Sequence, residues 1–113
     1  MQSADKSFFC DYQAHVGSRP ETFFKTGLFE SEALLIGLNC YEAGQSMYKH
    51  PHEIQHRAYL VLEGRGQMRV GAETQRVEAG RVIWVPAGNE HEIINDGENT
   101  LVLLVAVAPA HAH

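Results

Sequence analysis

Apolar residues in this chain come in short runs, and each run ends on turn-forming residues. Ala33–Cys40 is followed by Glu42-Ala43-Gly44, Ala58–Leu62 by Glu63-Gly64-Arg65-Gly66, and Gln67–Val70 by Gly71-Ala72-Glu73. Thr74–Val77 meets Glu78-Ala79-Gly80, Val82–Val85 meets Pro86-Ala87-Gly88, and Glu92–Asn95 meets Asp96-Gly97 before Leu101–Val107 closes the series. Short runs rich in Val, Ile, Leu and Tyr between Gly, Pro and Asn predict strands, because those residues fit a pleated surface and the punctuation supplies the turns. Helical periodicity is weak, and a turn roughly every ten residues predicts an all-β sandwich or barrel. Leu60-Val61-Leu62 and Leu101–Val107 are apolar on both faces, as in a strand covered on both sides or lying at a subunit interface. The first 32 residues are less regular, and Phe8-Phe9 and Phe23-Phe24 are expected to pin them to the barrel or to a partner. The expected organisation is therefore an N-terminal arm over 1–32, a single β domain over 33–108 and a tail over 109–113.

Composition narrows the function. A chain of 113 residues forms one domain with a real core, and its 44% apolar and 20% charged residues are those of an ordinary globular protein. Nine basic against 14 acidic residues give a net charge of −5, which weighs against nucleic acid and anionic membranes as partners. No apolar run approaches the roughly 18 residues of a membrane span, and the first residues lack the order of a signal peptide. Cys10 and Cys40 are too few for a disulfide framework and read as reduced thiols, so a cytoplasmic protein is expected.

Histidine is the unusual count, with seven, and two groups stand out. His50-Pro51-His52, with His56 beyond it, follows Gly44. On an extended strand residues two apart share a face, so His50 and His52 could converge on one metal ion at about 2.0–2.1 Å each. Pro51 between them cannot donate to a ladder, which places this segment at an edge or a barrel mouth. In the second group the strand Val82–Val85 stops at Pro86-Ala87-Gly88, and His91 opens the next strand. A turn stiffened by Pro and Gly fixes where such a ligand points.

These two groups resemble the motifs of the cupin superfamily. The second motif (Gly, five residues, Pro, one, Gly, two, His, three, Asn) is met without a gap at Gly80, Pro86, Gly88, His91 and Asn95. The first is met at Gly44, His50, His52 and Gly64, but its glutamate is missing. Counting back from Gly64 the position is Arg57, whereas counting on from His52 it falls at His56. Arginine stays protonated and has no acceptor, so it cannot ligate a metal; histidine can. The resemblance spans roughly residues 33–107 and implies a small single-domain cupin, a jelly-roll β-barrel or double-stranded β-helix with a metal in its mouth. It further implies a four-histidine site of His50, His52, His56 and His91 holding one divalent transition ion (Fe, Mn, Ni, Zn or Cu). A three-histidine site is the alternative, because in an ungapped strand Arg57, Tyr59 and Val61 share one face while His56, Ala58 and Leu60 share the other.

Tyr48, Arg57 and Tyr59 are the candidate substrate-binding residues. Arg57 could hold a carboxylate or enolate through its fork of donors, although an ion-paired surface arginine is the commoner case. Tyr48, Tyr59 and Trp84 could line a pocket, but strand aromatics more often belong to the core. Two function classes stay open. One is a metal-dependent dioxygenase or isomerase acting on a small oxygenated organic molecule, with the ion as Lewis acid or oxygen-binding centre. The other is a non-catalytic module that binds a small molecule or a metal, since one fold hosts both. Small cupins commonly pair, so a homodimer through the last strand and the aromatic arm is expected.

Overall fold

The structure is a computed structural model, and it describes residues 7–51 and 54–111. Nine strands form among these residues: β1 (Phe24–Glu30), β2 (Leu35–Tyr41), β3 (Ser46–Lys49), β4 (His56–Glu63), β5 (Arg65–Val70), β6 (Glu73–Glu78), β7 (Val82–Val85), β8 (His91–Ile94) and β9 (Leu101–Ala108). One 3₁₀ turn, Tyr12–His15, precedes them, and no helix is long and apolar enough to cross a membrane among the described residues. The strands make a five-stranded sheet, β1-β2-β9-β4-β7, and a four-stranded sheet, β3-β8-β5-β6. All pairings are antiparallel, and β2 with β9, β3 with β8, β4 with β7 and β5 with β6 are hydrogen-bonded partners. That nested order is one long hairpin, with its tip at β5–β6, wrapped into two facing sheets: the jelly roll that the motif spacing implies.

The main core lies between the sheets and is built by alternation along each strand. Tyr59 and Val61 of β4, Met68 of β5, Ile93 of β8 and Leu101, Leu103, Val105 and Val107 of β9 point inward. A second apolar cluster covers the outer face of the five-stranded sheet, with Leu28, Leu38, Cys40 and Val102 at its centre and Tyr12, Phe24 and Leu62 against it. Tyr12 is fixed there by its hydroxyl, which donates to Glu63 Oε2 at 2.8 Å. This second cluster explains why β9 is apolar on both faces: it is an interior strand between β2 and β4, covered on each side by its own chain. On that outer face Val102 is buried, while Leu104, Ala106 and Ala108 are half-buried. Phe8 and Phe9 are exposed, at 92% and 86%, while Phe23 stacks on Tyr41 at 4.8 Å between ring centroids. Of the segment read as an arm, Phe24–Glu30 joins the sheet as an edge strand.

Two motif residues owe their identity to the fold. Gly64, at the β4–β5 corner, has φ +82°, and a Cβ there would collide with the Thr100 carbonyl oxygen. Only glycine meets both demands. Asn95, wholly buried, ties three segments together: its Nδ2 donates to the Tyr41 carbonyl at 2.8 Å and the Asn99 carbonyl at 2.9 Å, and its Oδ1 accepts from Gly97 N–H at 3.0 Å. Its own N–H donates to the Gln45 carbonyl, and its carbonyl accepts from Gly44 N–H. It thus latches the start of the β2–β3 loop to the end of β8.

Candidate functional site

A cavity of about 540 Å³ opens between the β1–β2 end of the larger sheet and the edge strand β3 of the smaller one. That volume suits a small metabolite. Met47, Val105 and Val107 give it an apolar wall, and Lys25, Lys49, Arg57 and Tyr59 bring polar groups to it. Strand parity does this placing. The β4 ladder runs without a bulge from His56, opposite Ala108, to Val61, opposite Leu103. Arg57 and Tyr59 therefore face inward together, as in the ungapped reading of the sequence.

His91, the first residue of β8, is 1% exposed and shares a 2.7 Å hydrogen bond through Nε2 with the Tyr59 hydroxyl. Tyr59 stands between His91 and the cavity, and burial pushes its phenol up to about 12. Lys49 is the direct cross-strand neighbour of His91, so its side chain leaves β3 on the same inward face. Burial, with the positive charges of Arg57 and Lys25 nearby, pulls Lys49 below the usual lysine value. Arg57 is oriented by Gln55, whose Oε1 accepts from Nη2 at 3.1 Å, and Gln55 is itself tied to the Pro109 and Ala110 carbonyls at 3.2 and 3.3 Å. The Nε of Arg57 is buried and has no hydrogen-bond partner among the described residues.

Of the four expected metal ligands, His50, His56 and His91 lie among the described residues. Strand β3 ends at Lys49, ahead of Pro51, and His50 is exposed and packs edge-on against Tyr48 at 5.0 Å. Tyr48 borders the cavity, yet its hydroxyl donates to Glu90, which also accepts from Arg69 at 2.9 Å. His52 lies outside the described residues. His56 sits on the outer face of the larger sheet, stacked on Trp84 at 5.5 Å, with its Nδ1 accepting from Ala87 N–H at 2.9 Å. The physical reason is the unbroken β4 ladder, which sends His56 and Arg57 to opposite faces. Trp84 is correspondingly exposed, at 57%, and borders a separate cleft beside Val82 and Arg81 rather than the cavity of Arg57 and Tyr59.

The described donors by themselves do not make up a divalent-cation site. Of the three described candidate histidines only His91 points inward, its Nε2 is engaged by Tyr59, and the adjoining walls carry two ammonium groups and a guanidinium. Among the described residues no three His, Cys, Asp or Glu side chains cluster as a metal site. Lys25, Lys49 and Asn39, which also line the cavity, were not singled out from the sequence. Only the Lys49–His91 register could have flagged Lys49, and register is set by pairing between strands more than 40 positions apart.

The cupin-domain family model matches residues 37–107. Uncharacterized protein SCO3923 of Streptomyces coelicolor is 38% identical over 74 residues, 66% of this chain and 70% of its own length. The crystal structure of TT1209 from Thermus thermophilus is 33% identical and superposes with a TM-score of 0.85, covering 89% of this chain and 96% of that one. A double-stranded β-helix protein from Klebsiella pneumoniae superposes with a TM-score of 0.88 over 96% of this chain and 95% of its own; at 18% identity it shows the fold alone. Motif spacing, jelly-roll pairing and these likenesses agree, and the chain belongs to the cupin family.

Proposed function

We propose that this cupin binds a small organic molecule in its barrel cavity, against the Tyr59–His91 pair. The observation that carries the reading is the cavity itself: about 540 Å³, apolar on one wall, with a buried tyrosine hydroxyl and its histidine at the back. Pockets of this size with a few fixed polar groups are the usual form of a small-molecule site. The Tyr59–His91 bond can hold or pass a proton at an oxygen of the bound molecule, which is the part of isomerase chemistry that this chain's own residues supply. Binding without turnover uses the same cavity.

The test is ligand-observed NMR with a panel of neutral and charged small organic molecules, on the wild type and on Val107→Phe, which fills the inward wall. Contacts seen in the wild type and lost in a folded Val107→Phe protein support the reading. Equal contacts in both would place binding elsewhere and refute it. The metal-dependent dioxygenase or isomerase reading has its own marker: about one equivalent of a transition ion in the tag-free protein, lost in His52→Ala and His91→Ala.

A further inference from the structure

Resting on the reading of the cavity as a small-molecule site, we infer that its ligand is an organic carboxylate, gripped by Arg57 and Lys49 where the family pattern would put a carboxylate of the protein. Several independent observations converge on this. Arg57 stands seven residues before Gly64, at the position of the missing motif glutamate, and β4 parity turns it into the cavity. The charge at that position is thereby inverted, and a site built to accept a cation becomes one built to accept an anion.

The guanidinium is also left with unspent capacity. Gln55 takes one Nη2 hydrogen at 3.1 Å, while the buried Nε has no partner among the described residues. A buried donor without a partner is costly, and a carboxylate is the group that a guanidinium fork matches best. Lys25 and Lys49, two of the chain's three lysines, line the same cavity. The sole carboxylate among the described lining residues is Glu30, which already faces His111 Nε2 at 2.8 Å. In a protein whose net charge is −5, three cations against one paired carboxylate among the described lining residues is a local reversal of sign. A cleft of one sign with low-dielectric walls concentrates the opposite ion. The apolar wall of Met47, Val105 and Val107 takes the carbon skeleton, which separates an organic acid from an inorganic anion.

The experiment is isothermal titration calorimetry on protein stripped over chelating resin, with its metal content checked by elemental analysis. The probes are acetate, pyruvate and malonate, each beside the amide of the same carbon skeleton. Binding of at least one carboxylate, none of its amide, and an affinity about tenfold to hundredfold weaker in Arg57→Gln and Lys49→Gln is the expected result. Arg76→Gln, which removes only the exposed pair with Asp96, should bind as the wild type does. Amides binding as tightly as acids would overturn the inference while leaving the cavity reading intact. Carboxylate binding that appears only after a transition ion is added would overturn it in favour of a metal-bridged ligand. Equal losses in Arg76→Gln would reduce it to non-specific charge attraction, and no binding by any carboxylate would end it. In that last case the Val107→Phe comparison decides separately whether the cavity takes neutral molecules.

Discussion

Asn95→Ala removes the latch between the β2–β3 loop and the end of β8, and its cost can be worked from the bonds it breaks. Three side-chain hydrogen bonds of 2.8, 2.9 and 3.0 Å disappear, from a residue with no exposed surface. Each is worth about 1 kcal/mol net, and the Tyr41 carbonyl, on a wholly buried residue, adds the penalty of a buried acceptor left unmade, so the expected loss is about 3–4 kcal/mol. That is a large share of the roughly 5–15 kcal/mol that holds a domain together. With an unfolding entropy of about 2.1 cal/mol/K per residue, the melting midpoint should fall by about 12–17 °C. Urea unfolding followed by circular dichroism measures the loss, and calorimetry measures the midpoint. Asn95→Asp is the sharper companion. It keeps an oxygen for Gly97 N–H but turns a second oxygen on two carbonyls, so it should be at least as damaging as alanine. A loss below about 1 kcal/mol in either variant would refute the latch reasoning.

Four further outcomes follow from the same geometry. Tyr59→Phe deprives the buried His91 Nε2 of its hydroxyl partner and should lower stability by about 1–3 kcal/mol in urea titration; no change would mean that the cavity side of this pair is freely solvated. Gly64→Ala forces a side chain into a left-handed backbone position and against the Thr100 carbonyl, so a loss of at least about 2 kcal/mol is expected, and a neutral result would mean that the corner relaxes. His56→Ala should cost less than about 1 kcal/mol, leave carboxylate affinity unchanged and alter the fluorescence of Trp84, the chain's one tryptophan; a loss of ligand affinity would return His56 to the site. The Tyr48 hydroxyl, and then Arg69, hold the Glu90 carboxyl below the usual glutamate value. A lowered carboxyl stabilises above its ordinary value and ceases to as the pH falls through the lowered one, so the acid limb of the stability profile should be shallower in Glu90→Gln, and an unchanged limb would count against the network.

The order of strands was largely visible in the sequence because seven of the nine are apolar runs between turn residues. The two that were not, β1 and β3, are edge strands: β1 is exposed at alternate positions, and β3 spans only Ser46–Lys49, so neither shows a continuous apolar run. The motif glycines and Asn95 were legible for a physical reason, since a positive φ and a buried amide with three partners each admit few residue types. The site was legible only in part. Sequence offered two counts for the missing glutamate, and the choice between His56 and Arg57 rested on whether β4 bulges near Gln55, which only the ladder could settle. Tyr59 was a candidate, but its bond to His91 joins residues 32 positions apart. Lys49, beside the conspicuous His50, was passed over because strand parity means little until the cross-strand partner is known.

The central claim is that the cavity holds an organic anion through side chains of the protein, with no ion in between. One sample tests it most directly: tag-free protein, analysed for metals and titrated with a small carboxylate before and after passage over chelating resin. The expected result is carboxylate binding of the same affinity in both, at a metal content far below one per chain. One transition ion per chain, with binding lost on stripping and restored on reloading, would contradict it.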